Sequence, residues 1–161
     1  MKYTIEEIWE LLEQVTDPEV PVLSVVDLGV IRRVEIVNDQ LEIDITPTYS
    51  GCPAMNVIET DIRILMSSYE VPVIIRLVLH PAWTTDWMSE KGKEKLKAYG
   101  IAPPQYQPKN DELFSTAEGI ICPQCNSTNT TLISNFGSTA CKALYKCNDC
   151  LEPFDYFKCH Q

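Results

Sequence analysis

Val30-Ile31-Arg32-Arg33-Val34-Glu35-Ile36-Val37, then Asn38-Asp39, then Gln40-Leu41-Glu42-Ile43-Asp44-Ile45-Thr46: two runs rich in β-branched residues flank a two-residue turn. That pattern predicts a β-hairpin. In the second run Leu41, Ile43 and Ile45 alternate with Glu42 and Asp44, so one face of the strand is expected in a core and the other in water.

Upstream, Thr4 to Val15 reads as a helix. Thr4 and Glu7 have the spacing of a capping box, and Ile5, Ile8, Trp9, Leu12 and Val15 share one helical face. Asp17-Pro18 closes it, because a residue before proline avoids the α region. Downstream, Thr48-Tyr49-Ser50-Gly51-Cys52-Pro53 is a loop feeding a second helix, with Met55, Val57, Ile58, Ile62, Leu65, Met66 and Tyr69 at helical spacing. A third strand is expected from Val71 or Pro72 to Leu79, and its apolar residues Val73, Ile74, Ile75, Leu77 and Val78 suit a strand buried inside the sheet. His80 to Trp87 is a loop, and Ser89 to Tyr99 a basic, polar helix ending at Gly100.

The expected first domain, residues 1–102, is thus a small two-layer α/β fold of order α-β-β-α-β-α around a mixed sheet, in an α+β chain. Residues 103–117 read as a proline-rich linker, and 118–161 as a second, zinc-ribbon-like domain. In the second domain a hairpin is expected around Gly137-Ser138, between Thr130–Phe136 and Thr139–Lys146, with a third strand over Glu152–Cys159.

Topology then makes a statement about chemistry. With the hairpin turn at the bottom, a third strand parallel to the second ends at the top. Three loops should meet there: Asp17–Glu19 with Asp27, Ser50–Pro53, and His80–Trp87. Functional loops gather at such strand ends in α/β sheets. Cys52 draws attention because it precedes a helix, where unpaired backbone N–H groups and the helix dipole favour a thiolate. A buried packing cysteine is the alternative. Asp17 and Glu19 have two readings, a metal or thiol pocket, or simple turn formation. His80 reads as a strand-end residue, and Trp83 and Trp87 as a lid on the core.

The chain has 161 residues, a formal charge of −10 and seven cysteines. The charge is uneven: residues 118–161 carry −1 and the first 117 carry −9. An acidic surface repels phosphate backbones, so no nucleic-acid partner is expected. No apolar run reaches the roughly 20 residues of a membrane span, and the N-terminal run lacks a signal pattern. The expectation is a soluble, cytoplasmic chain with no membrane partner.

Six of the seven cysteines crowd the second domain, and an odd total with Cys-x-x-Cys spacing argues for metal and thiol chemistry over a disulfide framework. Cys122-Pro123-Gln124-Cys125 and Cys147-Asn148-Asp149-Cys150 each place two sulfurs on one ion, giving a closed four-thiolate site. Such a site is structural, and its metal supplies folding energy to a piece too small to bury much core. Ligand softness admits zinc or iron, with zinc expected. Cys141 and Cys159 fall outside the turns, as packing residues or as a second, labile thiol pair for metal or iron–sulfur material.

Asp17-Pro18-Glu19-Val20-Pro21, Asp27-Leu28-Gly29 and Thr48-Tyr49-Ser50-Gly51-Cys52-Pro53 resemble the domain of the SufT-type iron–sulfur assembly factors. Pro81-Ala82-Trp83-Thr84-Thr85-Asp86-Trp87, Gly100-Ile101-Ala102-Pro103-Pro104, Phe136-Gly137-Ser138-Thr139-Ala140-Cys141-Lys142-Ala143-Leu144-Tyr145-Lys146-Cys147 and Glu152-Pro153-Phe154-Asp155-Tyr156-Phe157-Lys158-Cys159 resemble the PaaD family, in which that domain is joined to a zinc-binding tail.

The resemblance implies a reactive cysteine at Cys52 and a place in the phenylacetyl-CoA epoxidase system of aerobic phenylacetate catabolism. It implies partners among the epoxidase subunits, above all the iron–sulfur reductase component, and leaves a homodimer open. The implied role is maturation of a metal centre, with structural zinc and transient iron or an iron–sulfur cluster, and no turnover of its own. The alternative is a scaffolding subunit without metal transfer. The sequence lacks the Glu-x-x-His pairs of a diiron site and a dinucleotide-binding glycine motif, which agrees with a non-oxygenase role.

Overall fold

The computed structural model describes residues 3–105 and 119–158. The chain divides into two compact units, one ending at Gly92 and the other beginning at Lys93.

The first unit opens with helix α1 (Ile5–Leu12). Its capping box forms as expected: Glu7 N–H donates to Thr4 Oγ1 at 3.2 Å, and Thr4 N–H to the Glu7 carboxylate at 2.8 Å. Strands β1 (Ile31–Val37) and β2 (Gln40–Ile45) make the hairpin. Its turn is tight because Asn38 and Asp39 both take the left-handed conformation, φ 50° and 59°, which matches the twist of the flanking strands. Helix α2 (Ala54–Ser68) crosses back, and β3 (Val73–Leu77) adds parallel to β2. The strand order is β1-β2-β3. A 3₁₀ turn at Thr85–Trp87 precedes helix α3 (Glu90–Tyr99), which starts in the first unit and runs on into the second.

Two layers result. Helix α1 packs against β1 and α2 against β3. Ile8 and Leu12, Ile58, Ile62 and Met66, and Leu41, Ile43 and Ile45 are all fully buried. Each such side chain contributes about 1.5–3 kcal/mol when taken out of water. The opposite face of the sheet is ionic: Arg33 bonds Asp44 at 2.6 Å and Glu35 at 2.5 Å, and Arg76 bonds Asp44 at 3.1 Å and also Glu42.

The third strand departs from its expected interior place. β3 is not buried inside the sheet; β2 is the central strand and β3 an edge. Ile74 and Leu77 are exposed. A continuous apolar run cannot by itself distinguish a central strand from an edge that carries apolar side chains on both faces.

The second unit contains an antiparallel sheet of β4 (Thr130–Ser134), β5 (Lys142–Cys147) and β6 (Pro153–Phe157), with β5 central. The strands are shorter than their patterns suggest, and the connection around Gly137-Ser138 is a longer loop. Tyr145 stacks on Phe154 at 5.9 Å and meets Tyr156 edge-on at 5.8 Å, filling a core with Ala102, Ile120, Ala143, Cys122 and Cys147. The architecture is therefore α+β, a mixed-sheet α/β unit and a ribbon-like antiparallel sheet. No helix among the described residues is long and apolar enough to cross a membrane.

Candidate functional site

Asp17 is buried after α1, and its Oδ1 accepts the N–H groups of Glu19 at 2.8 Å and Val20 at 2.9 Å. This is an Asx-type turn, formed because a short carboxylate can mimic a backbone carbonyl. Cys52 lies on the loop between β2 and α2, half-buried. Its N–H donates to the Tyr49 carbonyl at 3.2 Å. Burial pushes its thiol above the usual range, and the charges of Glu19 and Asp17 add to this. The Ala54 N–H and the Tyr49 hydroxyl, which bond the sulfur, pull the other way without winning.

The fold thus brings Asp17 and Glu19 within electrostatic reach of Cys52, as the meeting of loops requires. Its surroundings favour the Cys52 thiol over the thiolate. The expected helix-terminus effect is present as the Ala54 N–H bond, but desolvation of the half-buried sulfur and two nearby negative charges outweigh it. Nor do these three residues converge as a ligand triad: among the described residues, Cys122, Cys125, Cys147 and Cys150 are the one group of three or more such side chains whose ligand atoms come together. Gly51 takes φ 79° with open space around its missing Cβ, so it serves the turn conformation. Thr46, which ends the β2 run, is buried, and its hydroxyl has no hydrogen-bond partner among the described residues.

The other loop residues divide. His80 is exposed. Trp83 is buried, and its indole N–H donates to the Leu28 carbonyl at 2.9 Å, as a core lid should. Trp87 lies under the Arg32 guanidinium, 3.3 Å from the ring centroid. Asp27 is structural. One oxygen accepts the Ser89 hydroxyl at 2.8 Å, and Ser89 Oγ in turn accepts Gly92 N–H at 2.8 Å, fixing the start of α3.

In the ribbon the two cysteine turns face one another. Cys122 Sγ is 3.7 Å from Cys150 Sγ, Cys125 Sγ is 3.5 Å from Cys147 Sγ, and all four sulfurs lie within 4.8 Å of one another. Sulfurs about 2.3 Å from a central tetrahedral ion stand roughly 3.8 Å apart, so the arrangement fits a metal ion, and the soft, closed donor set suits zinc.

The turns are built alike. Cys122 N–H donates to the Ser127 carbonyl at 2.9 Å and Cys147 N–H to the Glu152 carbonyl at 3.0 Å. Asn126 and Leu151, each following the second cysteine, take φ 60° and 67°. Backbone N–H groups of Cys150 and Asp149 pull Cys147 down to about 7. The Glu152 N–H favours the Cys150 thiolate, but burial and the three neighbouring sulfurs push that thiol up to about 12. Such sulfur crowding is relieved when a cation shares the charge.

Sequence reasoning missed Asp149 as a tie between the two turns. Its carboxylate accepts Ser127 Oγ at 2.5 Å and Asn129 Nδ2 at 2.8 Å. The polar filling of Cys147-Asn148-Asp149-Cys150 was the available signal. Cys141 stands apart from the metal cluster, buried, its sulfur 3.0 Å from Thr139 Oγ1. Cys159 lies outside the described residues.

The comparisons follow this division. Residues 5–70 match a family of iron–sulfur cluster assembly proteins, and residues 106–158 match the PaaD zinc beta ribbon domain. The chain is 51% identical over 156 residues to a putative 1,2-phenylacetyl-CoA epoxidase subunit of Escherichia coli (strain K12), covering 96% of this chain and 93% of that protein. It is 38% identical over 96 residues to an Fe–S protein maturation auxiliary factor of Porphyromonas gingivalis, covering 58% of this chain and 90% of that one. A crystal structure of a domain of unknown function from Bacillus anthracis superposes with a TM-score of 0.54 at 30% identity, covering 57% of this chain and 90% of the other. An assembly-type domain, a four-thiol ribbon and a likeness running nearly end to end place the chain in the PaaD family.

Proposed function

We propose that this chain is an accessory protein of the phenylacetyl-CoA epoxidase system that assists maturation of a metal centre, with the iron–sulfur cluster of the reductase component as the client site. The observation that carries this reading is Cys52, a half-buried thiol held near the carboxylates of Asp17 and Glu19, inside the segment that matches the iron–sulfur assembly family.

An arriving iron ion meets one sulfur ligand and two negative charges there. The thiol proton passes to solvent as the iron–sulfur bond forms. One thiolate with charge nearby holds cargo loosely, as a carrier requires, whereas the closed four-thiolate site of the ribbon keeps its ion. The ribbon then serves as a fold anchor and a docking module for the client.

The test is to purify the reductase component from cells with and without this protein and measure its iron–sulfur content, with Cys52→Ser as the discriminating variant. Loss of cluster in both the deletion and the Cys52→Ser background supports the reading. Full loading with Cys52→Ser sinks it.

A second reading has its own support. Asp17 is committed to its turn and burial favours a protonated Cys52, as in a packing role within a scaffolding subunit. A stoichiometric complex with the epoxidase and normal activity of Cys52→Ala would select it.

A further inference from the structure

β3 exposes what its sequence says should be covered. Ile74 is 37% exposed, Leu77 56% and, just beyond the strand, Leu79 55%. Among the described residues the backbone edge of β3 is open as well. Leu41 N–H donates to the Pro72 carbonyl at 3.1 Å, and Val78 N–H donates to the Ile45 carbonyl at 2.8 Å. Alternate residues of a strand face the same neighbour, so Ile74 and Arg76 also turn their peptide groups to β2. The N–H and C=O groups of Val73, Ile75 and Leu77 therefore face outward. Only Arg63 of α2 approaches them among the described residues, with Nη1 3.5 Å from the Val73 carbonyl.

We infer that this edge is the interface of a two-fold homodimer, in which β3 pairs antiparallel with β3 of a second copy to make one continuous six-stranded sheet. The register argues for a second copy over any other strand. A two-fold axis through Ile75 sets Val73 opposite the second copy's Leu77, Ile75 opposite Ile75, and Ile74 opposite Arg76. All five residues of β3 are then paired. The three outward-facing residues all fall at hydrogen-bonded positions, where both copies exchange N–H and C=O.

On the core face the opposed pairs are wholly apolar, and Leu77 gains a cover. On the other face no like charges meet, because Arg76 opposes Ile74 and keeps its own Glu42 and Asp44. Shifting the axis to Ile74 or Arg76 shortens the pairing, and the axis at Arg76 also sets arginine against arginine. Pro72 and Pro81 flank the strand and confine pairing to it.

The test uses the full chain with its metal bound. In sedimentation equilibrium at tens of micromolar, the wild type is expected as a dimer. A lysine on an edge strand blocks such pairing, so Leu77→Lys is expected to weaken association by about tenfold or more while leaving the circular dichroism spectrum unchanged. Amide exchange at Ile75 and Leu77 should be slow in the wild type and fast in that variant.

An independent arm replaces Ile75→Cys. The two introduced thiols would sit on Cα atoms about 5.5 Å apart, within disulfide reach. Peptide mapping of oxidised protein should then recover the link between two copies of that peptide. A wild type that stays monomeric overturns the inference. So does a dimer indifferent to Leu77→Lys that gives no such link. Protection of the edge only when an epoxidase subunit is added would assign the strand to a client and overturn it equally.

Discussion

Gly29 and Trp87 are in backbone contact: a Cβ built on Gly29 would stand 2.4 Å from the Trp87 carbonyl oxygen. Gly29 also takes φ 70°, a conformation that side chains resist. This contact ties the loop that enters β1 to the 3₁₀ turn carrying Trp87. Gly29→Ala is expected to cost about 2–4 kcal/mol, strain and clash together. Gly51→Ala, at φ 79° but with open space, should cost only about 1 kcal/mol. Urea midpoints of the two variants check this, and equal losses would remove the packing part of the argument.

Asp44 supplies a pH dependence. The Arg33 guanidinium holds its carboxylate below the ordinary value, against some burial, and Arg76 adds to the effect. A carboxylate lowered in the folded state stabilises it at neutral pH. That contribution is lost as pH falls below about 4 and through the folded value. Asp44 keeps only 14% of its side-chain surface, but Arg33 and Arg76 keep 36% and 44%, so screening limits the contribution to about 0.5–1 kcal/mol. Asp44→Asn should therefore lose stability at pH 7 and converge on the wild type at low pH. A constant gap across the range would show that the loss is steric.

Removing the metal should act on one unit. A chelator, or Cys147→Ser, is expected to release about one zinc per chain and unfold the ribbon, because a structural zinc supplies on the order of 10 kcal/mol to so small a core. Amide exchange should quicken at Tyr145 and Tyr156 and stay slow at Ile43 and Ile62. Retention of ribbon protection without metal would show that its aromatic core suffices.

Local signals were legible in the sequence wherever one residue type has one use. The capping box at Thr4 and Glu7, the turn at Asn38-Asp39 and the four converging cysteines all follow from side chains whose reach is fixed. Depth was less legible. The run from Pro72 to Leu79 reads as interior because apolar pattern reports affinity for a core without saying whether the chain supplies one. At Cys52 a helix start suggests a thiolate, whereas burial and the charges of Glu19 and Asp17, which only the three-dimensional fold supplies, push the thiol up. Trp83 and Trp87 looked alike in sequence. The indole bond to Leu28 separates the buried one from the one stacked beneath Arg32.

Ala102 has a practical consequence for anyone dissecting the molecule. Its N–H donates to the Asp155 carbonyl at 2.8 Å, and its carbonyl accepts Phe157 N–H at 2.9 Å, so one residue far upstream of the first metal-binding turn completes the border of β6. A ribbon fragment cut at Gly119 would leave those two groups of β6 without their partners and remove a fully buried methyl from the aromatic core. Excision at Lys93 keeps the border whole, and it is the fragment so trimmed that offers a fair measure of what the ribbon can do alone.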